Sequence, residues 1–376
     1  MNVVIAIDSF KGSLTSLQAG NAVKEAIEKI NRDSETIVLP IADGGEGTVN
    51  ALAQGLNGTI KQIEVTGPIF EKVNAEYCIL PDQKAAVIEM ASAAGLNLVP
   101  SEKRNPMNTT TYGVGEIIKD AINSGCRNFI IGIGGSATND GGIGMLSALG
   151  IVFEDKNGYA VSPTAYGLKD LVNIKINNIL PELSDCTFRI ACDVTNPLCG
   201  KNGCSYVFAK QKGATDDDIE KMDYWLNNYA EIVKTVSDKA NPTFEGSGAA
   251  GGLGFAFLSF LNASLESGIN IVIDSIKLEE HIKNADIVIT GEGKLDSQTI
   301  MGKAPIGVAK LAKKYNKKVI AFSGVIGNNA EICNEYGIDA FFPILRKITT
   351  ENDALNTENA YKNLYDTAIQ VFRLLK

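Results

Sequence analysis

Residues 128–150 read NFIIGIGGSATNDGGIGMLSALG, and this stretch decides the fold class. The run NFIIGI (128–133) is β-rich and almost wholly apolar, which is typical of a strand buried on both faces of a parallel sheet. A glycine-rich segment with one acid, Asp140, follows it, and a helical run follows that segment. A strand, a glycine loop and a helix in this order predict an α/β protein. The loop could bind a dinucleotide, bind a nucleoside triphosphate or only turn the chain.

The same strand-then-helix order recurs near both ends of the chain, whereas residues 59–90 contain three strand-like runs without a helix between them. We therefore predict two intertwined α/β domains. One is a Rossmann-like parallel-sheet domain formed by residues 1–65 and 285–376. The other, residues 66–284, is an inserted mixed α/β domain with an antiparallel meander. A small-molecule active site is expected in the cleft between them.

Composition excludes several classes of partner. The 376 residues carry a formal net charge of −9, and acidic chains repel nucleic acids and anionic membranes. The N-terminal apolar run is too short for a signal peptide and no basic residue precedes it, and no run approaches the length of a membrane span. We expect a cytoplasmic protein with no nucleic-acid or membrane partner, present as a monomer or homodimer.

The histidine and cysteine content argues against further classes of active site and against disulfide bonds. The one histidine, His281, is expected at the surface, so a Ser-His-Asp triad is disfavoured, and a zinc site built on two histidines is impossible. The seven cysteines are scattered without a CxxC pair, which favours reduced thiols.

Acids and small residues recur where the predicted strands end. The pattern DGGxG occurs twice, at 43–47 and 140–144, each time between a strand and a helix. These strand ends form the edge at which α/β sheets bind ligands, although an aspartate there can equally cap the next helix. The carboxylates that could hold Mg²⁺ at this edge are Asp8, Asp43, Asp140, Asp193, Glu292 and Asp296.

The sequence contains near-matches to two nucleotide-binding motifs, the dinucleotide-binding motif and the P-loop, but each lacks a required feature. GSGAAG (246–251) does not follow a strand, and GIGGSA (132–137) follows one but lacks the acid that would hold a ribose. MGKAP (301–305) has alanine where a P-loop needs serine or threonine. What remains is a set of glycine loops, acids and lysines, which favours an ATP-dependent phosphotransferase acting on a small molecule.

Several longer strings resemble one family. IDSFKGSLTS, PIADGGEGTVNAL, GIGGSATNDGGIGML, ACDVTNPLCG and GEGKLDSQTIMGKAPIGVAKLAKKY are similar, in this order, to the bacterial glycerate kinase type 1 family. The resemblance covers about residues 1–345. It implies the glycerate kinase I fold and transfer of the γ-phosphoryl of ATP to D-glycerate, giving 2-phospho-D-glycerate. The sequence departs from the family pattern at Lys210, Ile7 and KGS (11–13), which puts the loop geometry near Lys210 in question.

Site residues follow from the motifs and the implied reaction. We predict Asp8 or Asp43 as the base for the attacking hydroxyl, and Lys11, Ser9, Gly44 and Gly45 as candidates to hold the carboxylate of glycerate. Asp193 and Asp296 are predicted to hold Mg²⁺. The predicted contacts to ATP are Gly134, Gly135, Ser136, Thr138, Asn139 and Lys294.

Other functions stay open at this point. The residues do not show which hydroxyl is phosphorylated, so a 3-phosphoglycerate-forming kinase or a kinase of another small hydroxy acid remains an alternative. A non-catalytic nucleotide-binding protein is disfavoured, since it would not need so many carboxylates beside phosphates. An NAD-binding oxidoreductase is disfavoured by the context of the two glycine motifs.

Overall fold

The computed structural model describes residues 1–45, 47–81 and 84–376. Glu46 of the first DGGxG motif therefore lies outside the described residues. The strands of the described residues are β1 (Asn2–Ile5), β2 (Glu35–Val38), β3 (Thr59–Thr66), β4 (Lys72–Leu80), β5 (Ala85–Glu89), β6 (Asn128–Gly132), β7 (Val152–Glu154), β8 (Asn173–Lys175), β9 (Thr187–Ala191), β10 (Ala263–Glu266), β11 (Ile287–Leu295), β12 (Lys318–Ile326) and β13 (Ala340–Pro343).

Helices connect most of these strands. They are α1 (Ser16–Ile30), α2 (Thr48–Leu56), α3 (Ala91–Ala94), α4 (Tyr112–Asn123), α5 (Ile143–Ala148), α6 (Cys204–Phe208), α7 (Asp216–Val233), α8 (Ala249–Phe260), α9 (Gly268–Ser275), α10 (Leu278–Lys283), α11 (Ala304–Lys314), α12 (Ile332–Glu335), α13 (Glu351–Leu355) and α14 (Thr357–Leu374). Helix α1 begins with the predicted capping box, in which Thr15 and Gln18 each bond to the backbone of the other. Within the described residues, no helix is both long and apolar enough to cross a membrane.

The first sheet has the strand order β13-β12-β11-β1-β2, and every neighbouring pair in it is parallel. Strands β1, β11 and β12 lie inside the sheet, and their apolar runs are buried, as expected for strands covered on both faces. This sheet takes strands from both ends of the chain. The carboxyl ends of β1 and β11 lie at one edge, which places the segments carrying Asp8 and Glu292 there.

The second sheet has the order β10-β9-β6-β5-β4-β3 and is mixed. Strands β3, β4 and β5 are antiparallel neighbours, whereas β5, β6, β9 and β10 pair in parallel. A small antiparallel ribbon of β7 and β8 is separate from it. A parallel sheet together with a mixed sheet confirms the predicted α/β fold class.

The described chain divides into two compact units. The first unit comprises Met1–Asp43, Asn50–Asn57 and Ile269–Lys376, and the second comprises Gly44–Val49 and Gly58–Gly268. The predicted boundaries at 65 and 284 therefore differ from these. Strand β3 pairs with β4 from Thr59 to Thr66, which joins residues 59–65 to the second sheet. Ile269 lies against Gly307 of α11, which joins the start of α9 to the first unit.

Each unit has its own apolar core. In the first unit, α1 and α14 pack together, and the core includes Ile5, Phe322 and Leu364. In the second unit, the core includes the stacked pair Phe129 and Phe188, whose ring centroids are 4.7 Å apart.

Candidate active site

Asp8 follows strand β1 in the first unit, and its side chain is only 7% exposed. The backbone amide of Ser9 donates a hydrogen bond to Asp8 Oδ1 at 2.6 Å. Burial raises the pKa of Asp8 to about 7, and repulsion from Asp43 and Glu292 adds to that rise. A carboxyl group that titrates near neutral pH can take a proton from a substrate and release it again.

The segments that carry Asp8 and Asp43 are held by one hydroxyl group. Ser16, the first residue of α1, is buried; its Oγ donates to the Ile7 carbonyl at 2.5 Å and accepts from the Ile41 amide at 2.9 Å. This hydroxyl therefore fixes the spacing of the two chain segments just before Asp8 and Asp43. The role of Ser16 is not visible in the sequence, where it is an ordinary residue at a helix start.

Lys11 and Ser9 lie in the loop that follows Asp8. Lys11 is exposed and Ser9 is half-buried. The loop is closed by a pair of backbone hydrogen bonds between Phe10 and Leu14, at 2.9 and 3.0 Å. The positive charge of Lys11 acts on Asp8 and opposes the rise in the pKa of that carboxyl. The role of Lys11 beside Asp8 stays a prediction.

Strand β11 and the residue that follows it contribute two further acids to the first unit. Glu292 is buried and accepts from Thr299 Oγ1 at 2.6 Å, with the Lys303 ammonium at 3.4 Å. Burial raises the pKa of Glu292, since these bonds only partly offset the loss of water. Asp296 is paired with Lys294 at 3.0 Å, and this bond lowers the pKa of Asp296. Lys294, predicted to contact ATP, is exposed and bonded to Asp296.

In the second unit, the glycine loop follows strand β6. Gly134 and Gly135 are exposed, while the Gly135 carbonyl accepts from the Leu96 amide at 2.8 Å. The amide of Ala137 donates to the Ala94 carbonyl at 2.9 Å. The loop is thus fastened on one side to the segment 94–96 and presents two glycines to solvent. Exposed glycine amides of this kind can bind anions.

Ser136 lies at the edge of the glycine loop and is 8% exposed. Beneath it, the side chain of Lys212 is almost fully buried and donates to Ser136 Oγ at 2.8 Å and to the Thr138 carbonyl at 2.7 Å. Lys212 was not among the predicted site residues. It is 76 positions from Ser136 in the sequence, so no local pattern relates the two.

Thr138 and Asn139 are fully buried. Asn139 Nδ2 donates to Ser205 Oγ at 2.9 Å, whereas within the described residues Thr138 Oγ1 and Asn139 Oδ1 have no hydrogen-bond partner. Direct contact of either side chain with a nucleotide would require the loop to open. In this structure the two residues support the loop from below.

Asp140 is a structural residue in this loop. Its fully buried carboxylate accepts from the Thr111 amide and hydroxyl, both at 2.8 Å, and from the amides of Gly142 at 3.1 Å and Gly144 at 3.3 Å. These bonds join the start of α5 to the segment before α4. The sequence leaves open whether Asp140 binds metal or caps the next helix. Its hydrogen bonds favour the role at the start of helix α5.

The glycine motif at 246–251 also has a packing role. Gly251 has a φ of +69°, and a Cβ there would lie 2.2 Å from the Thr138 carbonyl oxygen. The amide of Gly141 donates to the Gly251 carbonyl at 2.9 Å. Glycine at 251 is thus required for the start of α8 to approach the glycine loop, which explains the motif without a dinucleotide.

The predicted residues Gly44, Gly45 and Asp193 belong to the second unit. Gly44 is buried, and the Gly45 carbonyl accepts from Thr48 Oγ1 at 2.7 Å. Asp193 follows β9, is exposed and accepts from the Gly268 amide at 3.2 Å. Gly45 thus takes part in a local turn, whereas the bond of Asp193 joins the end of β9 to the start of α9; their contacts to substrate or metal stay predictions.

The fit of a magnesium ion depends on which carboxylates can turn toward it. Among the described residues, no group of three or more His, Cys, Asp or Glu side chains could hold a metal ion. Mg²⁺ commonly needs only one or two carboxylates together with substrate phosphates, so Asp193 and Asp296 stay predicted ligands of this ion. At Asp296 the Lys294 ammonium would first have to move away.

The fold and these residues together define an α/β protein with the parts that phosphoryl transfer requires: a buried acid, lysines and an anion-accepting loop. The model of the glycerate kinase family matches residues 3–376. The chain therefore belongs to the glycerate kinase family and is a kinase. All seven of its cysteines are free thiols, as the sequence predicts.

Individual glycerate kinases are similar to this chain over nearly the whole length of both proteins. The chain is 48% identical to a glycerate 2-kinase of Escherichia coli (strain K12), over 97% of this chain and 95% of the relative. It is 44% identical to a glycerate kinase of Haemophilus influenzae, over 100% and 99% of the two chains. A crystal structure from Salmonella typhimurium LT2, assigned as glycerate kinase 2, superposes with a TM-score of 0.92 at 46% identity, covering 100% of this chain and 98% of that one.

Proposed function

We propose that this kinase phosphorylates D-glycerate with ATP to give 2-phospho-D-glycerate and ADP. The similarity to relatives named glycerate 2-kinase and glycerate kinase supports the substrate. The observation that carries the chemistry is Asp8, a buried carboxyl group at the carboxyl edge of the first sheet whose pKa is raised to about 7.

Asp8 is the general base in this proposal. Its carboxylate accepts the proton of the C2 hydroxyl as that oxygen forms a bond to the γ-phosphorus of ATP. The bond between the γ-phosphorus and the β,γ-bridging oxygen breaks, and its electrons leave with ADP. Asp43 contributes by repelling the Asp8 charge, which makes Asp8 a stronger base than an ordinary aspartate. Protonated Asp8 then returns its proton to water.

The carboxylate of glycerate needs positive or N–H donors. Lys11 is exposed in the loop beside Asp8 and Ser9 is half-buried there, so both are suited to bind this anion. Gly44 and Gly45 are further predicted donors through their amides. Binding of the carboxylate by these groups would orient the neighbouring hydroxyl group and thereby decide which oxygen reacts.

The phosphates of ATP are proposed to bind at the glycine loop. The exposed amides of Gly134 and Gly135 and the hydroxyl of Ser136 are donors at its surface. Mg²⁺, when bound with ATP, would neutralise phosphate charge, and Asp193 and Asp296 are its predicted carboxylate ligands. The prediction that Lys294 contacts ATP would require its bond to Asp296 to be exchanged for one to phosphate.

A phosphorus NMR spectrum of the purified protein with D-glycerate, ATP and Mg²⁺ tests this proposal. We expect a new signal from 2-phosphoglycerate at the expense of ATP. A 3-phosphoglycerate signal instead would correct the position of transfer. ATP left intact with D-glycerate, but consumed with another small hydroxy acid, would replace the substrate. ATP left intact with every such acid would exclude the proposed kinase reaction.

Two further expectations stay predictions. The cytoplasmic location would be tested by fractionation of cells that express the protein. The monomeric or homodimeric state would be measured by light scattering coupled to size-exclusion chromatography.

A further inference from the structure

Lys212 is a cation buried in the second unit. Its side-chain ammonium forms no ion pair within the described residues; its hydrogen bonds go to Ser136 Oγ at 2.8 Å and the Thr138 carbonyl at 2.7 Å. Burying an ammonium group without a paired carboxylate is costly, so such a residue needs a reason beyond packing. Burial lowers the pKa of Lys212 to about 8, while Cys204 and Asp140 act against that fall.

The backbone around Lys212 is fixed. Lys212 ends a short 3-10 helix (Lys210–Lys212), and Gly213 follows with a φ of +99°. A Cβ at Gly213 would lie 2.2 Å from the Arg104 carbonyl oxygen, so glycine is required there. The amide of Ala214 then donates to the Ala209 carbonyl at 3.2 Å. The ammonium group is thus aimed at the loop by a rigid turn.

The hydrogen bond between Lys212 and Ser136 has a direction. An ammonium group only donates, so the Ser136 hydroxyl must accept from it, and its own proton must point elsewhere. Within the described residues, that hydroxyl donates to no protein acceptor. Since Ser136 lies at the edge of the loop beside the exposed Gly134 and Gly135, its proton is available to a ligand on that surface.

We propose that Lys212 is a positioning residue that holds the Ser136 hydroxyl as a hydrogen-bond donor to a phosphate of the bound nucleotide. The buried charge polarises the hydroxyl, which makes its bond to an anion stronger than that of an ordinary serine. The bond to the Thr138 carbonyl holds the loop backbone in the same place. This inference rests on the proposed function, because it takes ATP to bind at the glycine loop.

The test measures binding of the non-hydrolysable ATP analogue AMP-PNP with Mg²⁺ by calorimetry. The variants are Lys212→Met, Ser136→Ala and the double substitution. Hydrogen bonds to charged groups are worth about 1.5–3 kcal/mol, so we expect each single variant to bind AMP-PNP roughly 10- to 100-fold more weakly. Because Lys212 acts through Ser136, the double variant should bind within about twofold of Lys212→Met.

Controls separate this role from a structural one. Lys210→Met removes an exposed lysine of the same turn, bonded only to the exposed Asp216 within the described residues, and should leave AMP-PNP affinity unchanged. In steady-state kinetics, Lys212→Met should raise KM for ATP by roughly tenfold or more while KM for glycerate changes less than twofold. A loss that affected both substrates equally would indicate general disruption and overturn the proposal.

Other outcomes are also decisive. The inference is overturned if Lys212→Met folds and binds AMP-PNP with wild-type affinity. It is also overturned if the fold-losses of affinity in the two single variants multiply in the double variant. If Lys212→Met does not fold, the test rests on Ser136→Ala, which keeps Lys212. Wild-type affinity for AMP-PNP in Ser136→Ala then overturns the inference. A wild-type protein that binds AMP-PNP through Lys212 and Ser136 but never phosphorylates glycerate refutes the proposed substrate and leaves the inference standing.

Discussion

At the scale of single residues, Asp8 combines a functional benefit with a cost to stability. Its ordinary pKa of 3.8 is raised to about 7 in the folded chain. Well below pH 3.8 the group is neutral in both the folded and the unfolded chain and costs nothing. As pH rises toward 7 the unfolded chain ionises first, so folding becomes less favourable, and the full cost is present above pH 7. A buried carboxyl group with a raised pKa is a candidate for a functional residue.

Asp8→Asn should therefore separate activity from stability. We expect kcat to fall by about 10²-fold or more, because the base is lost. The melting temperature at pH 8 should rise by roughly 2–4 °C, because the buried charge is gone. Calorimetry and steady-state kinetics on the same preparation measure both. Asp286→Asn, on an exposed side chain that bonds only to Asn2 within the described residues, serves as the control for activity. Wild-type turnover in Asp8→Asn would remove Asp8 from catalysis.

The same carboxyl group predicts a pH dependence. The base must be ionised, so kcat/KM should fall tenfold per pH unit below about pH 7. Asp43→Asn removes one source of repulsion and should move this midpoint to lower pH, whatever it does to the maximal rate. The measurement is kcat/KM between pH 5 and 9 with Mg²⁺ in excess. A midpoint that stays in place in Asp43→Asn would show that the two carboxylates do not interact.

At the scale of elements, helix α1 is predicted to set the geometry of the acids through its first residue. Ser16→Ala leaves the Ile7 carbonyl and the Ile41 amide without their shared partner, which should cost about 1–3 kcal/mol of stability. We expect kcat to fall about tenfold and the acidic midpoint of kcat/KM to shift. Ser275→Ala is the matched control, since the buried Ser275 hydroxyl bonds, among the described residues, only within its own helix, to Ile271. Equal losses of kcat in both variants would refute the role of Ser16.

Elements were more readily predicted from the sequence than the contacts between them. Buried strands such as 128–133 have unbroken apolar runs, and the capping box at Thr15 is a local signal, so both are visible in the sequence. Lys212 is different, because its partner Ser136 comes from a distant part of the chain. The sequence KQKG shows a lysine before a glycine, which is common and specifies nothing. Asp140 was ambiguous because capping and metal binding use the same residue type at the same position.

The domain boundaries also depend on contacts between distant residues, which local sequence patterns do not reveal. Residues 59–65 precede the meander in the sequence, and only the pairing of β3 with β4 joins them to the second sheet. Likewise, the apolar residues of α9 do not reveal which unit they pack in until Ile269 is placed against Gly307 of α11. Periodicity identifies which residues are buried, whereas the partner of a buried face depends on contacts far apart in the chain.

At the scale of the whole molecule, the two separate cores predict that one unit can be weakened without loss of nucleotide binding in the other. Leu364 is fully buried in α14 and belongs to the core of the first unit, whereas the glycine loop has its described hydrogen-bond partners in the second. Leu364→Ala should lower the free energy of unfolding by about 2–5 kcal/mol. At 25 °C the protein remains folded, so AMP-PNP affinity should stay within twofold of wild type.

The exposed Leu374 of the same helix provides the matched control for this last prediction. It is 83% exposed, so Leu374→Ala should change stability by less than about 0.5 kcal/mol. Denaturant unfolding gives the stability of both variants, and calorimetry at 25 °C gives their affinity for AMP-PNP. A large loss of affinity in folded Leu364→Ala would show that the core of the first unit controls the glycine loop. The nucleotide site would then depend on the first unit as well as the second.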